Sequence, residues 1–198
     1  MKRVFYLPLV EPRDEATVKT LLSRSGWHRL YLESDWEQCT AVTVLKSYME
    51  KEFAFNGQDQ PRGLYLTGSV GVGKTSALAL IAQWLGTYYG APCRFVSTAL
   101  LFDMHYEKNY QAINSLMEST ILFIDDLGRE YPADYGMIKF ENFIEHRYAN
   151  LLTTFFTSNV SIQDLRSRVG FERIADRVND PKWMNHLTMA GTSKRVRP

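Results

Sequence analysis

The stretch GSVGVGKTSALALIAQWL, residues 68–85, places three glycines, a lysine and a threonine immediately ahead of an apolar run of helix-forming residues. Gly68, Gly73, Lys74 and Thr75 satisfy the pattern G-x-x-x-x-G-K-[ST], and Gly71 adds a third position without a side chain. The residues just before it, GLYLT at 63–67, read as a short apolar strand. A strand feeding such a loop and a helix leaving it let successive backbone N–H groups and the helix N-terminus converge on a phosphate group. On this reading Gly68, Ser69, Val70, Gly71, Val72, Gly73, Lys74, Thr75 and Ser76 cradle the phosphates of ATP. Lys74 then lies against the β- and γ-phosphates as a point charge, and the Thr75 hydroxyl supplies one ligand to Mg²⁺. The competing reading, a Gly-rich turn with a surface lysine, does not account for the strand on one side and the helix on the other.

Outward from this loop the chain alternates. CRFVS (93–97), ILFID (121–125), TTFFTSN (153–159) and HLTMAG (186–191) read as four further strands, with helical stretches after residue 74, from Thr98, and from Pro132 to Tyr148. Short apolar strands alternating with helices predict an α/β fold whose five-stranded, mainly parallel sheet is covered on both faces. Upstream, Ser34 followed by Glu37 has capping-box spacing, and the apolar positions behind it predict one amphipathic helix ending near Asn56 and Gly57. A short helix over 14–23 is expected within an otherwise weakly patterned N-terminal arm, residues 1–28. The catalytic domain is expected over 29–198.

A magnesium site needs a carboxylate, and ILFIDD (121–126) ends a buried strand with two. Ligands of an open parallel sheet bind beyond the carboxyl ends of the strands, so Asp125 is expected beside the phosphates and Asp126 is placed to polarise an attacking water. The alternative for this pair is a turn in which Asp126 caps the next segment. Asn159, at the end of another strand, offers a neutral amide to a lytic water or to the γ-phosphate. In LRSRVGFERIADRV (165–178), Arg166, Arg168, Arg173 and Arg177 fall close together, with Arg173 and Arg177 on one helix face. Such density is ordinarily a solvated face, yet a guanidinium aimed at a neighbouring subunit's γ-phosphate is an arginine finger.

Taken in order, these motifs resemble the DnaC/DnaI and IstB-like ATPases of the AAA+ superfamily over most of the chain, from about Arg29 to Arg197. GLYLTGSVGVGKT is similar to the family's Walker A segment, and ILFIDDLG to its Walker B segment. TSN is similar to the sensor-1 strand end, ERIADRV to the arginine-finger helix, and AGTSKR to the sensor-2 region. The resemblance implies a three-layer P-loop NTPase fold of the AAA+ kind without a sizeable C-terminal lid. It assigns Asn159 to sensor 1, Arg177 to the finger acting on a second subunit, and Arg195 to the phosphates of its own subunit. It further implies a DNA-replication factor that binds and hydrolyses ATP, self-associates on single-stranded DNA through the ATP interface, and loads or remodels a replicative helicase. An IstB-like accessory ATPase acting with a transposase is the alternative within the family, and a metabolic P-loop kinase the alternative outside it. Loaders of this family carry an N-terminal helicase-binding domain, whereas about thirty residues precede the core here. Asp126, one methylene shorter than the glutamate of most AAA+ proteins, implies slow turnover stimulated by DNA or a partner.

Composition sets the remaining bounds. The chain has 198 residues, 45% of them hydrophobic, enough for one core. A net charge of +1 gives no global nucleic-acid footprint, so DNA contacts must be local. The segment STALLFDMHYEKNYQ (97–111) offers Phe102, Tyr106 and Lys108 as such contacts, mixing stacking groups with charge, and the resemblance points to the same region. His105 is expected on the surface, and Leu30 and Tyr31 near an adenine pocket. Two cysteines, Cys39 and Cys93, suit a reducing cytoplasm. The apolar run at 4–10 is interrupted by Pro8 and is a poor signal sequence, and no stretch is long enough to span a bilayer.

Overall fold

The structure, a computed structural model, describes residues 10–53, 61–128, 134–191 and 193. Helices α1 (Glu15–Arg24) and α2 (Arg29–Leu32), a 3₁₀ turn (Trp36–Gln38) and α3 (Val42–Phe53) precede the alternating core. The core runs β1 (Gly63–Gly68), α4 (Lys74–Tyr89), β2 (Cys93–Ser97), α5 (Thr98–Tyr106), α6 (Tyr110–Met117) and β3 (Ile121–Leu127). It continues with α7 (Asp134–Ala149), β4 (Thr153–Ser158), α8 (Ile162–Arg166), α9 (Glu172–Val178) and β5 (Met184–Met189).

The strands lie in the order β2-β3-β4-β1-β5, and every pairing is parallel. The expected five-stranded sheet is therefore present and wholly parallel. Parallel strands need helical crossovers that cover both faces, which is why β3 and β4 are buried along almost their whole length, Asp126 alone being half-buried. Leu64, Leu66, Phe123 and Phe155 point into a cluster with α1, α3 and α4. Their neighbours Tyr65, Leu122, Ile124 and Phe156 point into the opposite cluster with α5 to α9. Phe123 and Phe155 stack at 4.4 Å across β3 and β4, with Trp27 edge-on to Phe123 at 5.0 Å.

Two expectations about the N-terminal region are revised. No capping box forms at Ser34 and Glu37, because Asp35 accepts the Glu37 backbone N–H at 3.0 Å and closes only a 3₁₀ turn. The chain leaves that turn at Cys39, and α3 starts afresh at Val42; Asn56 and Gly57, where the helix was expected to end, lie outside the described residues. The segment read as an arm is, over its described part, packed on the domain. Val18, Leu22 and Trp27 are buried in the α4 cluster, and the Trp27 indole donates to the Cys93 carbonyl at 3.1 Å. Gly86 permits this docking, since a Cβ there would meet Val18 at 2.9 Å.

Arg147, fully buried near the end of α7, donates to the carbonyls of Leu116, Met117, Ser119 and Thr153 and to the Thr154 hydroxyl. It ties the end of α6 to the start of β4 by filling carbonyls that the apolar interior would otherwise strand. Pro132 lies outside the described residues. Among the described residues no helix is long and apolar enough to cross a membrane.

Candidate nucleotide and metal site

β1 delivers the Gly-rich loop to the carboxyl edge of the sheet, beside the ends of β3 and β4. Gly71 adopts φ +85°, and a Cβ at that position would lie 2.2 Å from the Ser193 hydroxyl, so both backbone and space demand glycine. Gly73, left-handed at φ +95°, is the N-cap of α4 and brings no side-chain acceptor to the first helical N–H groups. Those groups therefore face outward in the arrangement that binds anions.

Lys74 is buried, and its Nζ donates to the Gly68 carbonyl at 2.9 Å, the Ser69 carbonyl at 3.0 Å and Asn159 Oδ1 at 2.7 Å. Thr75 Oγ1 lies 3.0 and 3.2 Å from the two carboxylate oxygens of Asp125. Asp125 is held a second time by Thr157, whose hydroxyl donates to Oδ1 at 2.5 Å, and its carbonyl accepts from Thr98 at 3.0 Å. Burial pushes the Asp125 carboxyl above the usual carboxylate range and the Asp126 charge adds to this, while the Thr157 and Thr75 hydrogen bonds and the Lys74 charge oppose it. Asp126, at φ +60°, lines the same cleft.

Lys74, Thr75, Asp125, Asp126 and Asn159 thus converge on one cleft of about 480 Å³, a size suited to a small ligand. Tyr31, Ser34, Asp35, Gln38, Cys39, Leu80 and Met189 complete its wall. Of the two residues expected near an adenine pocket, Tyr31 lines the cleft, whereas Leu30 is 78% exposed and does not. Thr75 and Asp125 offer adjacent hydroxyl and carboxylate oxygens, the donor set that suits a hard ion such as Mg²⁺, so the residues present fit the implied metal.

Arg177 lies elsewhere. Its Nε donates to Glu145 at 2.7 Å and its guanidinium sits 4.9 Å from the Tyr148 ring centre. Glu145 is in the last turns of α7, which returns the chain to the start of β4, and Arg177 ends α9 shortly before β5 begins. Both therefore sit at the amino ends of the strands, opposite the cleft. The other arginines of that run are engaged locally: Arg166 with Asp176, Arg173 with Glu141, and Arg168 with the Gly128 carbonyl. Arg195 lies outside the described residues.

The DNA-contact residues divide. Tyr106 and Lys108 are exposed, but Phe102 is only 4% exposed and packs on Phe140 at 5.2 Å, so it presents no stacking face. Its aromatic ring serves the α5–α7 packing instead. His105, expected on the surface, is buried too. Sequence reasoning overlooked Thr157 and Thr98. The available signal was a hydroxyl residue inside an otherwise apolar strand, since a buried hydroxyl requires a partner.

A wholly parallel sheet with a phosphate loop after β1, its lysine and threonine facing the carboxyl end of β3, defines a P-loop nucleoside triphosphatase. Residues 64–168 match the family model of the ATPase family associated with various cellular activities (AAA), and the chain belongs to that family. The replicative helicase loader DnaI of Bacillus subtilis (strain 168) is 30% identical over 118 residues, 57% of this chain and 38% of that protein. The chain thus matches well under half of that relative's length. A crystal structure of DnaI superposes with a TM-score of 0.71 at 25% identity, covering 85% of this chain and 94% of that one. A crystal structure of the DnaC helicase loader gives 0.67 at 23% identity over 82% and 100% of the two chains, a likeness of fold.

Proposed function

We propose that this protein is an ATP-switched replication factor that assembles on single-stranded DNA and loads or remodels a replicative helicase in the cytoplasm. The observation that carries the reading is the separation of the phosphate cleft from Arg177. A guanidinium at the opposite end of the sheet cannot serve its own cleft, which supports a role for it at the cleft of a neighbouring subunit. The AAA family match supports the ATPase class, and the likeness to the helicase loader DnaI supports the partner class.

In this reading the loop amides and Lys74 hold the ATP phosphates, and Thr75 and Asp125 would hold magnesium, which would neutralise charge on the phosphates. Asp126 accepts the proton of the attacking water. Asn159 keeps Lys74 in place through its Oδ1. Arg177 of one subunit then stabilises the transferring phosphoryl group on the next, so ATP closes the interface and hydrolysis opens it. Turnover is slow in the isolated protein because the short Asp126 side chain reaches a water less directly than glutamate. Self-association, DNA stimulation, and the roles of Tyr106, Lys108 and Arg195 belong to the same proposal.

The test is complementation between defective subunits. Arg177→Ala should lower turnover by about a thousandfold, and Lys74→Ala should remove it, yet an equimolar mixture of the two should recover activity. A mixture as inactive as its components would refute a shared site. Co-purification of a transposase rather than a replicative helicase with the full chain would overturn the proposed partner.

A further inference from the structure

Consecutive residues of a strand point to opposite faces of a sheet, yet Asp125 and Asp126 line the same cleft. The reason lies in how β3 meets β4. The two strands pair in step from Ile121 with Thr153 to Ile124 with Phe156, and then slip so that Leu127 pairs with Ser158. One extra residue is thereby accommodated in β3, a bulge that interrupts the backbone ladder where the carboxylates emerge. Asp126 takes up the bulge at φ +60°, a left-handed conformation that is uncommon outside glycine, that aspartate tolerates better than most residues, and that its surroundings hold here.

The surroundings are two hydroxyls of β4. Thr157 Oγ1 accepts the Asp126 backbone N–H at 2.9 Å and donates to Asp125 Oδ1 at 2.5 Å. Ser158 Oγ donates to the Leu127 carbonyl at 2.7 Å. Both residues are fully buried, so neither hydroxyl is shared with solvent. A single threonine oxygen thus satisfies the amide of one aspartate and orients the carboxylate of the other. Two residues further on, Asn159 accepts from Lys74 at 2.7 Å, so one strand end touches Asp125, Asp126 and Lys74. Thr75 is the hydroxyl a magnesium ion would claim, which leaves Thr157 as the fixed hold on Asp125.

We propose that Thr157 is a positioning residue of the ATP and magnesium site, its hydroxyl pinning the one-residue bulge that turns both Asp125 and Asp126 into the cleft. This deepens the nucleotide reading above and rests on it. The hydroxyl is the active feature, because valine would fill the same space without either hydrogen bond.

The test compares Thr157→Val with Thr157→Ser in binding of a fluorescent ATP analogue, titrated with Mg²⁺ and repeated in EDTA. Loss of a group that orients a metal ligand weakens metal binding by about 10–100-fold. Thr157→Val should therefore raise the half-saturating Mg²⁺ concentration by at least about tenfold, with metal-free binding unchanged and most of the loss restored in Thr157→Ser. An unchanged Mg²⁺ requirement, equal losses with and without metal, or a serine variant as impaired as the valine one would each overturn the proposal. Should Thr157→Val fail to fold, Thr157→Ala against Thr157→Ser carries the same comparison. Wild-type protein that binds no ATP under either condition would sink the nucleotide reading instead. Hydrogen exchange at the Asp126 amide then reads the pinning without nucleotide: faster exchange in the valine or alanine variant than in the serine one supports it, and equal rates refute it.

Discussion

The two ends of the parallel sheet are built on different plans. At the carboxyl end, Lys74, Thr75, Asp125, Thr157 and Asn159 are linked by hydrogen bonds across three strand ends, with Lys74, Asp125 and Thr157 buried. At the amino end, Arg177 is held from one side only, by Glu145 through Nε and by the face of Tyr148, and stays partly exposed. The first arrangement presents polar groups already oriented by one another; the second leaves a cation partly open to solvent. The difference teaches that topology keeps Arg177 apart from the cleft of its own chain, and in the proposed function this divides the reaction between subunits. β-strands carry loops to one edge, and the helices that return the chain carry Arg177 to the other.

The contrast would break most visibly at Lys74 and Arg177. If the carboxyl end alone binds nucleotide, Lys74→Ala should weaken ATP binding by about 10–150-fold, the worth of a charge-assisted hydrogen bond or more, whereas Arg177→Ala should leave equilibrium binding to the isolated subunit unchanged. Isothermal titration of both variants decides it, and equal losses would erase the distinction between the two ends. A smaller effect is expected at Glu145. Its ion pair with Arg177 is largely exposed, so Glu145→Ala should lower turnover only about two- to fivefold. Steady-state kinetics at rising salt should shrink the gap between this variant and wild type, because salt screens the wild-type pair.

The smallest effect lies outside both ends. Burial, with the Lys139 charge as a lesser cause, lowers the His105 pKa below its usual value. The unfolded chain therefore binds a proton there more readily than the folded one, so stability should decline as pH falls below about 6.5 and level off below the folded-state value. Replacing His105 with leucine should flatten that part of the curve, as urea unfolding between pH 5 and 8 would show. An unaltered slope would mean that His105 titrates normally.

Much of the fold was legible because its signals are local. Apolar runs at 63–67, 93–97 and 121–125 are strands by composition, and the Gly-rich loop announces itself by spacing. The helix expected from Ser34 was misread because Asp35, one residue on, competes for the same amide. Phe102 was misread for a different reason: an aromatic ring on a short helix looks the same whether it faces solvent or Phe140. Thr157 was passed over since its partners, Asp125 and Asp126, lie more than thirty residues away.

By itself the sequence determined the chemistry at the phosphate loop and the strand that ends in two carboxylates, since residue type and spacing are properties of a contiguous stretch. Only the tertiary structure decided that β4 lies between β3 and β1, which brings Thr157 and Asn159 to Asp125 and Lys74. It alone decided, too, that Arg177 faces away from the cleft. Strand order and the slip between β3 and β4 are set by how the whole core packs, and no short stretch carries that information.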